Sequence, residues 1–267
     1  MDEQSSIHPT ALVAAAAQLD SGVTIGAGCV IEAGAQIGAG TTLGAYVIVR
    51  GGVSIGRRNQ IGSFTTMGDP PQDTKHDPAQ PGRLVIGDNN RIREHCSLHS
   101  GCSYTSGITK VGDDNFVMCY CHLAHDGQLG SGNILANGVS LGGHVLVGNN
   151  TVFGAHVKVA QFGRIGSGCM IGESTSVHAC VPSYWMVAGA RARAYGINRV
   201  GMRRLGMSVK QIDNVRRAFR LANRPGSLEQ RREAIAAYCA PGQEIDEILD
   251  SMTGLPKGIV GPPRSGK

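Results

Sequence analysis

Aromatic side chains are scarce in this chain: 4% of its 267 residues, with one Trp. A core of packed aromatic layers is therefore excluded. No run of about 18 apolar residues occurs, so no transmembrane helix and no stable membrane insertion are expected. The opening residues, MDEQSSIHPT, hold two acids and no basic stretch ahead of an apolar one. That is not the pattern of a secretory signal, and a cytoplasmic location is expected. Charge of neither sign dominates. A net +5 suits an anionic small molecule or an acidic partner and points away from nucleic acid. The eight cysteines are scattered without a C-x-x-C spacing, and Cys119 and Cys121 are the one close pair. They read as reduced thiols filling small buried positions.

Glycine is abundant instead, 39 residues, about twice ordinary usage. Internal periodicity explains it. Every sixth residue from Ile7 to Met67 is large and apolar, eleven positions in all: Ile7, Val13, Leu19, Ile25, Ile31, Ile37, Leu43, Val49, Ile55, Ile61 and Met67. In a chain that is 41% apolar, chance would give this about 5 times in 100,000. A second run, from Val111 to Val177, is equally unbroken, and Ile86, Ile92 and Leu98 keep the period between the two. A period of six fits neither a helix nor a simple strand. Two residues before each apolar position stands mostly a small residue or Asn, as at Cys29, Ala35, Thr41, Asn115 and Asn133, and Gly often follows the apolar residue. Each hexad is then a short strand plus a corner that tolerates φ > 0. Three hexads close one turn of a triangular prism, so residue n + 18 stacks on residue n.

The phase slips twice. Met67 to Ile86 reads as three hexads plus one residue, and Leu98 to Val111 as two hexads plus one. The loop-like stretches 68–83 and 100–109 carry these slips, and loops leaving a rigid solenoid are natural places for function. After Val177 the hexads stop. Ser208/Gln211 and Ser227/Gln230 have capping-box spacing, and a third short helix is expected from Glu244 to Met252. The expected organisation is a hexapeptide-repeat β-helix over 1–190, a small helical domain over 191–256 and a disordered tail over 257–267.

The three-hexad turn also places side chains. His125 stacks under Gly143 and then Gln161, Asp126 under His144 and Phe162, and His122 under Ser140 and Lys158. One outer edge gathers His122, His125, Asp126, Gly143, His144 and Gln161. A His beside an Asp suits a general base, the carboxylate fixing the tautomer, and the Gly N–H can serve as an oxyanion donor. No Ser or Cys is coupled to this His as a nucleophile, so direct transfer is the simpler chemistry. A zinc site from His122, His125 and His144 is a rival reading, and a non-catalytic β-helical scaffold is another.

These residues are recognisable. The chain resembles the UDP-N-acetylglucosamine O-acyltransferase family of lipid A synthesis. The resemblance runs through I-H-P-T-A-L-V (7–13), P-Q-D-T-K (71–75), I-G-D-N-N-R-I-R-E (86–94), H-L-A-H-D (122–126), I-L-A-N (134–137), G-G-H (142–144) and G-I-N-R-V-G-M-R-R (196–204). It implies a left-handed parallel β-helix, a homotrimer with sites between neighbouring prisms, and no metal or bound organic cofactor. It also implies transfer of a fatty acyl group, often 3-hydroxylated, from the phosphopantetheine of acyl carrier protein to the 3-hydroxyl of UDP-N-acetylglucosamine. By resemblance His125 is the general base, Asp126 its partner and Gly143 the oxyanion donor. Asp73, Lys75, His99, His122, His144 and Gln161 would line the substrate cleft, and Asn198, Arg203 and Arg204 would hold the nucleotide.

The chain departs from the family pattern at Ala160, before Gln161-Phe162; at Val200, where an acidic residue is usual; and at Leu205, where a second Arg is usual. A paralogue using another nucleotide sugar or a shorter, polar acyl donor is the alternative these departures raise. The acyl groove departs too. Glu173 stands where Gly or an apolar residue is common, and Arg191 where His is common. Their spacing is one full turn of the prism, so an ion pair closing the groove early is expected.

Overall fold

A computed structural model of the chain describes residues 5–253 and 258–263. Its hexads are two-residue strands separated by tight corners, wound into a prism of three parallel faces. The first face runs from Ser6–Ile7 to Trp185–Ala188, the second from Leu12–Val13 to Ser176–Val177, and the third from Gln18–Leu19 to Arg164–Ile165. Ser6 pairs with Thr24 and Thr24 with Thr42, so each turn takes three hexads, as the spacing predicts. The sixth-residue aliphatics point inward: Ile25, Ile31, Ile37, Leu141 and Phe153 are all buried. Ile7, on the first described turn, stays exposed.

Buried amides explain why Asn recurs two residues before an inward aliphatic. The Asn59 side-chain carbonyl accepts from the Asn90 N–H at 2.9 Å, Asn90 from Asn115 at 3.0 Å, Asn115 from Asn133 at 2.9 Å and Asn133 from Thr151 at 2.8 Å. Each corner N–H thus finds an acceptor one turn below, at about 1 kcal/mol per bond. The corners are left-handed, and bulky residues occupy many of them. Tyr46, Phe64, His95 and Tyr120 all have φ between 57° and 62°. Their exposed rings stack in a column, with centroids 5.2, 5.1 and 4.9 Å apart. Aromatic pairing contributes about 0.5–1.5 kcal/mol per pair and offsets the strained backbone.

Both phase slips are resolved differently from the hexad count. Met67 pairs with Leu98, and Leu98 with Leu123. Each step is one ordinary turn carrying an insertion, the first longer than the second. Both insertions leave at the corner between the second and third faces, on successive turns, so they meet in space.

The end of the coil is less regular than three hexads per turn. Met170 pairs with Met186 and Ile171 with Val187, so the last turn is shorter than three hexads. Trp185–Ala188 then pairs antiparallel with Arg193–Ile197. Four helices follow: α1 (Arg199–Arg204), α2 (Val209–Ala222), α3 (Leu228–Tyr238) and α4 (Gln243–Ser251). Ser208 and Ser227 form the expected capping boxes. Asn198 caps α1, a helix the sequence reading omitted. The helices dock on the coil through Trp185 against Phe219, centroids 4.8 Å apart, and a 2.7 Å hydrogen bond from Tyr184 to Glu247. The expectation of a disordered tail is corrected over 258–263. Cys180 donates to Gly258, Val260 donates back to Cys180, and Val260 is buried. The rest of that tail, 257 and 264–267, lies outside the described residues.

Candidate active site

The corner carrying both insertions holds the His–Asp pair. Asp126 occupies the left-handed corner conformation, φ 57°. Its N–H donates to Thr109 Oγ1 at 2.8 Å. Its carboxylate accepts from His125 Nδ1 at 3.0 Å, the Cys102 N–H at 3.0 Å and the Thr105 hydroxyl at 2.5 Å. Burial alone would raise this carboxyl, but the Thr105, His125 and Cys102 donors together hold it below its ordinary value. An ionised Asp126 facing Nδ1 keeps the proton there and leaves the His125 Nε2 lone pair free to accept one.

The pair does not stand on an open edge, as the spacing suggested. His125 is 5% and Asp126 4% exposed, because the 100–109 insertion folds over them. Solvent exclusion strengthens their interaction. Cys102, which sequence reasoning did not couple to this His, sits with its Sγ 3.2 Å from His125 Nδ1. Burial and the Asp126 charge push its thiol up to about 11, so it is a neutral neighbour and not a nucleophile. Thr105 and Thr109 were also missed. No motif marks any of the three, since their contacts depend on how the insertion folds back.

Gly143 stacks on His125 as predicted. A Cβ at Gly143 would lie 2.6 Å from His125 Cε1 and Nε2. Its carbonyl accepts from Phe162, while its N–H donates to nothing among the described residues. The donor is therefore available beside the His125 ring. His144 lies edge-on to His125, centroids 5.1 Å apart, and stacks on Phe162 at 4.7 Å. Gln161 is exposed one turn above, its backbone close against Gly142.

His122 and His99 extend the histidine cluster along the second face. Their rings meet edge to face at 4.9 Å, and Ser97 Oγ lies 2.8 Å from His122 Nδ1. Burial and neighbouring His99 lower His122 to about 4, so it is neutral near pH 7. His99 is lowered by burial as well, and its Nδ1 is buried with no hydrogen-bond partner among the described residues. A buried polar atom left unpaired suits a ligand contact. From the first insertion, Asp73 accepts from the Tyr104 hydroxyl at 2.6 Å and from the Lys75 N–H at 2.9 Å. Those two donors hold its carboxyl below the ordinary range. The Lys75 side chain is exposed at the rim.

Three predicted residues are not joined to this cluster. Asn198 spends its side chain on structure, accepting from the Gly201 N–H at 3.0 Å and donating to the Gly168 carbonyl at 2.9 Å. Arg203 and Arg204 are exposed on the last turn of α1. The Glu173–Arg191 pair is a correction. Because the last turn is shorter than three hexads, Ala190 bridges Ser176 and Arg191 does not stack on Glu173. Both side chains are exposed, and no ion pair joins them among the described residues. The three-histidine zinc reading does not assemble either. Among the described residues, the donor sets are Asp73/Cys102/His125 and His125/Asp126/His144. No helix among the described residues is long and apolar enough to cross a membrane.

Two family models match the chain: the bacterial transferase hexapeptide (six repeats) over residues 34–69, and UDP N-acetylglucosamine O-acyltransferase, domain 2, over residues 181–260. A relative from Thiobacillus denitrificans, an acyl-[acyl-carrier-protein]–UDP-N-acetylglucosamine O-acyltransferase, is 43% identical over 96% of this chain and 99% of its own. One from Alkalilimnicola ehrlichii with the same description is 44% identical over 95% and 98%. The crystal structure of UDP-N-acetylglucosamine O-acyltransferase from Moraxella catarrhalis superposes with a TM-score of 0.92 at 36% identity, covering 95% of this chain and 99% of that one. The fold is accordingly the left-handed parallel β-helix.

Proposed function

This chain belongs to the acyl-[acyl-carrier-protein]–UDP-N-acetylglucosamine O-acyltransferase family, and we propose that its buried His125–Asp126 pair is the base of that reaction. The chain is an acyltransferase of lipid A synthesis, moving an acyl group from acyl carrier protein to UDP-N-acetylglucosamine. His125 Nε2 takes the proton of the sugar 3-hydroxyl as its oxygen attacks the thioester carbonyl. The tetrahedral oxyanion accepts a hydrogen bond from Gly143 N–H, and the imidazolium returns the proton to the departing phosphopantetheine thiol. Asp126 holds the tautomer and stabilises the imidazolium. No covalent enzyme intermediate and no bound cofactor is required.

The observation that carries this reading is the 3.0 Å Nδ1–carboxylate bond, shielded by the insertion, with an unused Gly143 N–H beside the ring. His99 Nδ1, His122, Asp73 and Lys75 supply polar contacts for the sugar and its phosphates, with His144 and Gln161 on the other side of the base. Arg203 and Arg204, exposed on α1, would reach the nucleotide from a neighbouring chain of a homotrimer, while Asn198 caps the helix that carries them. The exposed Tyr46–Phe64–Tyr120 column supplies apolar surface suited to a subunit contact.

The test is a mass-spectrometric transfer assay with UDP-N-acetylglucosamine and a panel of acyl carrier protein thioesters. Product is expected from the wild type and none from His125→Ala at unchanged oligomer size by light scattering. Turnover by His125→Ala near the wild-type rate would show that the base is wrong.

A further inference from the structure

The insertions bring a second chemistry to the same corner. Cys102 Sγ, His125 and the Asp73 carboxylate place their ligand atoms within 4.8 Å of one another. Cys102 Sγ is 3.2 Å from His125 Nδ1. One sulfur, one imidazole nitrogen and one carboxylate oxygen make a three-ligand set with a position left open, the donor composition that borderline-soft divalent cations take in preference to Mg2+ or Ca2+. The outer groups are in place as well. Tyr104 and the Lys75 N–H fix the Asp73 carboxylate, as supporting hydrogen bonds fix a ligating carboxylate. Cys102 and His125 are buried while Asp73 is half-exposed at the rim, so the cation has both a dry seat and an entry.

We propose that Asp73, Cys102 and His125 bind one Zn2+ per chain, and that the bound ion switches off acyl transfer. The balance is an acid–base one without redox change. The Cys102 S–H proton is released to solvent and a Zn–S bond forms. The metal takes the His125 Nδ1 lone pair, so the ring proton moves from Nδ1 to Nε2. An Nε2–H imidazole has no lone pair for the sugar hydroxyl, and the Nδ1 hydrogen bond to Asp126 is lost with it. The inhibitory half rests on the proposed role of His125; the binding half does not.

The two halves are measured separately. Purified protein is titrated with Co2+, which reports thiolate coordination by a sulfur-to-metal charge-transfer band in the near ultraviolet. One equivalent per chain should develop the band, Zn2+ should abolish it, and Cys102→Ser should lack it. A band that persists in Cys102→Ser comes from one of the other seven cysteines and overturns the site, as does no band at all. Asp73→Asn, outside the coil, should weaken Co2+ binding about tenfold or more, and gives the same answer if Cys102→Ser misfolds. Zn2+ should then inhibit transfer over the concentration range in which it displaces Co2+. Full turnover with the site occupied would overturn the switch. If no donor supports turnover at all, the functional reading fails while the Co2+ band still decides the metal site.

Discussion

The His125 ring packs directly against Gly143, occupying the place where a side chain at 143 would begin. A Cβ there would sit 2.6 Å from His125 Nε2, inside van der Waals contact. Gly143 is thus needed for space, while its φ is one that other residues adopt. Gly143→Ala should push the imidazole away from the oxyanion donor and leave the coil intact. A displacement on the order of 1 Å costs about 100-fold in rate. Steady-state kinetics should show kcat falling by roughly that factor with the melting transition little changed. Unaltered kcat would mean that His125 works from another position.

Asp126 separates tautomer control from backbone geometry. Its corner conformation, φ 57°, is one that Asn tolerates well and Ala poorly. Asp126→Asn therefore keeps the fold but replaces an ionised acceptor. It removes the charge facing Nδ1 and offers an amide N–H to the Cys102 and Thr105 donors. A catalytic His given the wrong tautomer in this way loses about 10,000-fold in kcat. The expected result is a loss of that order in turnover at wild-type circular dichroism, and a loss below tenfold would remove Asp126 from the mechanism.

His122 and His99 set a pH window for stability. Burial pulls His122 from 6.5 to about 4 and lowers His99 in the same direction. Both are bases held neutral in the fold. Above pH 6.5 neither state binds the proton, and nothing is lost. As pH falls below 6.5, the unfolded chain protonates first, so stability declines until about pH 4, where folded His122 also protonates. Asp126, held below its ordinary value, adds its loss only at still lower pH. Urea midpoints should fall across that window, and the fall should be shallower in His122→Gln. Parallel wild-type and variant profiles would assign the window to other groups.

The prism was legible because every turn repeats one instruction: a large aliphatic residue inward, a small residue or Asn at the corner. That instruction fails where the chain leaves the coil. The stretch from Met67 to Ile86 suits three hexads plus one residue as well as one hexad plus a long insertion, and spacing alone does not choose. His125 under Gly143 and Asp126 under His144 were legible, because they lie on turns of regular length. Cys102 and Thr105 were not, since they reach Asp126 by a loop that obeys no period. The Glu173–Arg191 pairing failed for the converse reason, extending the three-hexad rule into a turn that is shorter.

The family resemblance sets the acyl groove near Glu173, and the expectation to test is that its exposed carboxylate, without Arg191, ends that groove. Its carboxylate is exposed, on the turn above Gly154, where even a Cβ would lie 2.5 Å from the Glu173 nitrogen. With Arg191 elsewhere, a hydrocarbon tail passing this point would desolvate an unneutralised charge. Each methylene gained in an apolar groove contributes about 0.8 kcal/mol, about fourfold in kcat/KM. Glu173→Gly should therefore raise the preference for each longer homologue by about that factor, starting at the chain length where the wild type stops gaining. Competition between pairs of acyl carrier protein thioesters, with products weighed by mass spectrometry, reads the ratio directly. A wild-type ratio in the variant would place the end of the groove at another residue.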